Sequence, residues 1–273
     1  MGRMNRYLNY ADVQNAIDRS KNEGWEKKFA ASFKNCSHFW EEDSQAKWHA
    51  IISSFETVNK SDKKLTVLDL GCGSSPLPWY FASLGHDAIG VDDVSAQNNG
   101  IEEMRHFAKW LKFSTGRVQI NFADAYEFIS GLENNSVDFI FDACAITHFG
   151  LIRDVSFKHS HFNKSWNFDG QQQFKRVFDL AYPKLVKGGH IIIASDILRD
   201  PLPPAKTIDD IREFLSPVRI IDQAKKSNYN IVTEPQFNHS DSLKALKAPR
   251  GPIGYSQESS PKCYVGTFTF QKV

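Results

Sequence analysis

Cysteine is scarce and scattered in this chain. Cys36, Cys72, Cys144 and Cys263 stand far apart with no C-x-x-C pair, and a chain of this length does not need disulfide staples, so they read as reduced thiols. An excess of charge of one sign is missing too. Lys and Arg number 33 against 32 Asp and Glu, a net of +1, which lacks the basic footprint of a duplex nucleic-acid binder and suits a small polar partner better. No apolar run approaches a bilayer span, and Met1 to Tyr10 is polar with two arginines and no apolar segment of signal-peptide length. Gly2 opens no myristoylation motif, because Arg6 stands where Ser or Thr is required. These absences read as a cytoplasmic protein without membrane attachment. Repeats and low-complexity tracts are also lacking. What is present is 41% apolar residues over 273 positions, enough to bury the core of one α/β domain.

The first sixty or so residues read as helical, and Trp48, Ile51, Ile52 and Phe55 recur at helical spacing. That stripe either packs against a following sheet or forms the aromatic face of a lid. From Leu65 short apolar runs alternate with amphipathic helices, the pattern of βαβ units. Strands are expected at Leu65 to Leu70, Ala88 to Asp92, Val118 to Phe122, Val137 to Phe141 and His190 to Ala194. Helices are expected at Pro76 to Leu84, on the face of Ile101, Met104, Ala108 and Leu111, at Gln171 to Val186 after an Asp169 cap, and near Ile208 to Leu215. Gly188 and Gly189 look like the end of the third of these. Asn230 to Thr233 and Cys263 to Gln271 read as late strands, an antiparallel pair closing the sheet.

The chemistry centres on Val67-Leu68-Asp69-Leu70-Gly71-Cys72-Gly73, a buried strand ending in a turn with two glycines before a helix. Glycines let a ligand approach the backbone, and the carboxyl end of a strand is where open α/β sheets bind ligands. Asp69 sharpens the reading, because a carboxylate there would accept from a cationic amine, whereas a dinucleotide site wants a third glycine and this chain has Ser75 and Pro76. The next strand ends in Gly90-Val91-Asp92-Asp93, about 20 residues on, where a ribose diol is gripped. Asp92 is the better candidate of the two acids, and a turn or cap role is the alternative.

On these residues the chain resembles the class I S-adenosyl-methionine (SAM)-dependent methyltransferase family, from about Leu65 to Ser195. The resemblance implies that Asp69, Gly71, Cys72 and Gly73 meet the methionine end of SAM and that Asp92, with Asp93 beside it, meets the ribose. It also implies that Asp124 and the N–H of Ala125, in Asn121-Phe122-Ala123-Asp124-Ala125, meet the adenine. Ser136-Val137-Asp138-Phe139-Ile140-Phe141 is similar to the family's fourth-strand signature, and Leu185-Val186-Lys187-Gly188-Gly189-His190-Ile191-Ile192-Ile193 to its fifth motif. Ser74-Ser75-Pro76 departs from the usual loop. The implied fold is a Rossmann-like three-layer α/β sandwich with a mostly parallel seven-stranded sheet and an antiparallel C-terminal strand. Residues 1–60 would be an N-terminal helical lid on a SAM-binding domain at 61–273, with a substrate loop at 151–169.

Methyl transfer from a sulfonium is an in-line displacement that mainly needs alignment and exclusion of water. The segment after the fourth strand borders the reacting methyl in this family, which makes His148 the first candidate for a general base and Asp142, also counted among the implied cofactor contacts, the second. The alternatives are a structural histidine and a capping acid. Cys144 reads as an inert thiol. The loop from Leu151 to Asp169 interleaves Arg153, Lys158, His159, His161 and Lys164 with Phe157, Phe162, Trp166 and Phe168; it suits an anionic or ring-bearing small acceptor, or is a solvated loop. No ligand set completes a metal site around His159 and His161, and Thr147 stands where metal-using small-RNA methyltransferases carry a glutamate. Asp142-Ala143-Cys144-Ala145 lacks the Pro-Pro turn of amino-directed DNA methylation, and no Pro-Cys occurs for a cytosine C5 enzyme. The expected activity is transfer to an O or N atom of a small molecule; a protein or single-stranded RNA acceptor, a silent SAM-binding protein and an NAD-dependent dehydrogenase are the alternatives.

Overall fold

The computed structural model describes residues 6–8, 42–73, 75–92, 116–146, 149, 170–198, 217–233, 235–239 and 263–273. Nine strands form one sheet. They are β1 (Arg6–Leu8), β2 (Thr66–Leu70), β3 (Asp87–Asp92), β4 (Arg117–Phe122), β5 (Val137–Ala143), β6 (Leu185–Leu198), β7 (Tyr229–Ile231), β8 (Gln236–His239) and β9 (Cys263–Lys272). The described helices are α1 (Glu42–Val58), α2 (Leu77–Ser83), α3 (Ala125–Gly131), α4 (Gly170–Ala181) and α5 (Pro217–Lys226).

The path β4-β3-β2-β5-β6 is parallel throughout, and β9 returns antiparallel beside β6. β7 and β8 lie end to end on the other edge of β9, with Ile231 opposite Phe270 and Gln236 opposite Thr267. Counted as one interrupted strand they complete the seven positions expected from the sequence. β1 adds beyond β8 in parallel register, an extended tripeptide inside a region whose composition reads as helical.

Helices cover both faces, as a parallel sheet requires. One core cluster joins Leu68, Leu70, Ile140, Ile191 and Ile193 to Ile129 of α3, Phe174 and Phe178 of α4, and Ile220 of α5. The other joins Val67, Phe139, Phe141 and Ile192 to Leu77 and Phe81 of α2 and to Trp48, Ile51, Ile52 and Phe55 of α1. The Trp48 stripe therefore packs on the sheet, with Phe55 edge-on to Phe81 at 4.8 Å and to Phe139 at 4.9 Å.

One expected element changes identity. The helix expected to run to Val186 ends at Ala181, and Leu185 already pairs with Val137 in the sheet. Pro183 has no N–H and disfavours helix at the residue before it. Gly188 (φ +77°) and Gly189 then lie inside β6, at a register shift opposite Val137 to Phe139. They form a bulge rather than a helix cap, since a Cβ on Gly189 would press within 3.0 Å of the Asp138 and Val186 carbonyl oxygens. The helices expected at Ile101 to Leu111 and Ile208 to Leu215 lie outside the described residues. No described helix is long and apolar enough to cross a membrane.

Candidate functional site

β2 is flanked by β3 and β5, so the strand order reverses beside it, and the carboxyl ends of strands at such a reversal are where open α/β sheets bind ligands. Asp69, Gly71 and Gly73 stand at that end of β2. The turn after β2 holds Gly71 at φ +64° and Gly73 at φ +42°, a backbone region that suits glycine. A Cβ at Gly71 would collide with the side chain of Ala145 from the turn after β5. The glycine loop is pinned to β3 by Cys72 N–H donating to the Val91 carbonyl at 3.0 Å and by Gly73 N–H donating to Asp92 Oδ2 at 2.6 Å. Asp92, expected to meet a ribose, thus also fastens the loop with one oxygen.

Asp69 is 2% exposed, and neither carboxylate oxygen has a hydrogen-bond partner among the described residues. Burial holds its pKa well above the ordinary carboxylate range. The neighbouring Ser75 hydroxyl offsets this only in part, and the negative charges of Asp142 and Asp92 add to it. An acid left in this condition is costly unless something completes it. Cys72 is buried with its Sγ close under Gly90, and burial, then Asp69 and Asp92, push its thiol up, so the side chain is a filler while its backbone forms the loop.

Asp124 caps α3, its Oδ1 accepting from Tyr126 N–H at 2.9 Å and Glu127 N–H at 3.0 Å. The cap leaves the N–H of Ala125 as the remaining donor of that first turn, and Ala125 itself is buried. Asp142 is fully buried at the end of β5. Its Oδ1 accepts from Ala145 N–H at 2.8 Å and Ile146 N–H at 3.0 Å, while its Oδ2 has no hydrogen-bond partner among the described residues. The capping role expected as one alternative is therefore present, and the second oxygen stays available. Burial pushes the Asp142 carboxyl up to about 7, against the pull of the Ala145 and Ile146 hydrogen bonds and of the Lys47 charge.

Between these anchors the chain is strained. Cys144 adopts φ +66°, a left-handed conformation unusual for a residue with a Cβ, and its half-buried thiol accepts from the Ser195 hydroxyl at 3.6 Å. Phe149 follows, edge-on to Tyr126 at 5.8 Å and beside Gly71.

The structure thus gathers Asp69, Gly71, Cys72, Gly73, Asp92 and Asp142 at one end of the sheet, with Asp124 and Ala125 at the head of α3 after the neighbouring β4. Asp93, His148, His159, His161 and Trp166 lie outside the described residues. Among the described residues no group of His, Cys, Asp or Glu could hold a metal ion. Sequence reasoning missed Lys47, which is 5% exposed on α1 and acts on Asp142. Its signal was a lysine four residues before Ile51, on the apolar stripe itself.

Residues 61–235 match a family model described as a methyltransferase domain. The sequence has no match among curated proteins. Three solved structures share the fold. TehB from Haemophilus influenzae is 14% identical with a TM-score of 0.50, covering 82% of this chain and 61% of its own. The Haemonchus contortus phosphoethanolamine N-methyltransferase 2 in complex with S-adenosyl-L-methionine is 16% identical with a TM-score of 0.54, covering 82% and 52%. The 1,6-didemethyltoxoflavin-N1-methyltransferase of Burkholderia thailandensis is 15% identical with a TM-score of 0.50, covering 97% and 89%. The chain thus spans less than two thirds of the first two of these proteins.

Proposed function

The chain belongs to the methyltransferase-domain family, and from that premise we propose that it is a SAM-dependent enzyme that methylates an O or N atom of a small, polar or anionic acceptor. The observation that carries this reading is Asp69, a buried carboxylate that meets no cation among the described residues, only the neighbouring Ser75 hydroxyl, beside two glycines at the strand-order reversal. A cationic amino group is the complement it lacks, and the end of SAM that this family presents to its glycine loop carries one. SAM supplies a sulfonium methyl group, electrophilic enough for direct displacement by an O or N nucleophile.

The protein's own residues then bind, orient and exclude water. Asp69 accepts from the amino end, and the Gly71-Cys72-Gly73 backbone allows close approach. Asp92, with Asp93 next to it, takes the ribose hydroxyls, and Asp124 with the Ala125 N–H takes the adenine edge. His148 is the first candidate to remove a proton from the acceptor and Asp142 the second. The loop at 151–169, with Arg153, Lys158, His159, His161 and Trp166, is the proposed acceptor-binding segment, and its mix of cations and rings favours a phosphorylated or carboxylated small molecule.

Calorimetry with S-adenosyl-homocysteine and with NAD tests the cofactor reading, with binding expected for the first alone. A metabolite screen for S-adenosyl-homocysteine release then tests the acceptor class. Binding of NAD and not of S-adenosyl-homocysteine would overturn the reading.

A further inference from the structure

α1 brings a buried cation to the end of β5 that carries Asp142. Phe55, near the carboxyl end of the helix, packs on Phe139 at 4.9 Å and beside His86 at 5.8 Å, near the amino ends of β5 and β3. Lys47 lies eight residues earlier in α1, a rise of about 12 Å. Asp142 lies three residues beyond Phe139, about 10 Å up the strand. Residues 59–65 lead from the end of α1 to the start of β2, which runs parallel to β5, so α1 lies back along the strands and Lys47 comes to the level of Asp142, on whose carboxyl its charge acts. Lys47 is 5% exposed and Asp142 fully buried, and long charged side chains are seldom buried unless their charge is compensated.

Asp142 in turn organises its neighbours. Its Oδ1 takes the N–H groups of Ala145 and Ile146, which closes the turn around the left-handed Cys144 and sets Ala145 against Gly71. An ionised acceptor makes those two hydrogen bonds stronger than a neutral one. The charged groups that face this carboxylate among the described residues are Lys47 from α1 and Asp69 from β2, with Asp92 of β3 acting on Asp69 in turn.

We propose that Lys47 is a positioning residue of the cofactor site: it supplies the counter-charge that favours the ionised form of Asp142, and Asp142 holds the Cys144 to Ile146 turn against the glycine loop. This rests on the cofactor reading above, and it makes the N-terminal helix part of the site's electrostatics as well as of its packing. Lys47 acts through Asp142 and not on the transferred group. Removing its charge raises the pH at which Asp142 ionises, so cofactor affinity should need a higher pH to develop.

The test is calorimetric binding of S-adenosyl-homocysteine to the full chain across neutral and mildly alkaline pH. The variants are Lys47→Met and Lys47→Arg, each alone and combined with Asp142→Asn. Lys47→Met is expected to weaken binding about tenfold near neutrality, with the gap closing as pH rises, while Lys47→Arg stays near wild type. Combined with Asp142→Asn, Lys47→Met should add no further loss. An equal loss with and without Asp142→Asn, or a loss that does not change with pH, overturns the proposal. If Lys47→Met alone does not fold, the double variant, which removes both buried charges, must fold and bind as Asp142→Asn does; if it does not, the proposal fails. A wild-type protein that binds no S-adenosyl-homocysteine refutes the cofactor reading instead, and the Lys47–Asp142 coupling is then read from the pH dependence of urea unfolding in the same variants.

Discussion

Replacing Asp142 with Asn should change how stability depends on pH more than it changes stability at acid pH. The folded carboxyl is pushed from 3.8 up to about 7, chiefly by burial. Between those values the unfolded chain has released the proton and the folded chain still holds it. The stability associated with this group is therefore fully present below 3.8, declines as pH rises towards about 7, and is lost above it. A difference of about three pKa units corresponds to roughly 4 kcal/mol, at 1.36 kcal/mol per unit, as an order of magnitude. Asn keeps an Oδ1 acceptor for the Ala145 and Ile146 N–H groups and carries no charge to desolvate. Urea unfolding followed by tryptophan fluorescence at several pH values should show wild-type stability falling by a few kcal/mol across this window, and a much flatter profile for Asp142→Asn. A variant that keeps the wild-type slope, or that is destabilised equally at every pH, would refute the argument that a desolvated carboxylate sits at this position.

Asp69→Asn should leave the fold intact and weaken S-adenosyl-homocysteine by roughly 10- to 100-fold in calorimetry, the loss of about 1.5–3 kcal/mol expected for a hydrogen bond to a charged group; unchanged affinity would remove Asp69 from the site. Gly71→Ala should destabilise the protein through its collision with Ala145, and Ala145→Gly in the same chain should recover part of the loss in a thermal melt, with a residue of about 1 kcal/mol left for the φ of +64°. His148→Asn should lower turnover roughly 10²- to 10⁴-fold for a hydroxyl or protonated amine acceptor, without a matching loss of SAM affinity. A pH–rate profile that keeps its low-pH limb in that variant would pass the base role to Asp142 or to the histidines of the 151–169 loop.

The sequence by itself determined the elements whose signals are local. The runs at Val67 to Leu70, Val137 to Phe141 and Ile191 to Ile193 are apolar on both faces of the sheet apart from Asp69 and Asp138, so they read as strands wherever the rest of the chain lies. Gly71 and Gly73 announced the ligand turn because few other residues accept those backbone angles. The packing of α1 was legible in the period of Trp48, Ile51, Ile52 and Phe55, although that period did not say which surface it met. Other features depended on partners distant in the chain. α3 is too short for periodicity to reveal, and Asp124 shows as its cap only once Tyr126 and Glu127 turn back to it. Gly188 and Gly189 looked like a helix end because the bulge they form exists only when β6 pairs with β5. The site's electrostatics were the least legible part. A carboxylate in a sequence carries no mark of its burial, and Asp69, Asp142 and Lys47 acquire their character only when three separate elements bring them together at one end of the sheet and exclude the water that would otherwise screen them.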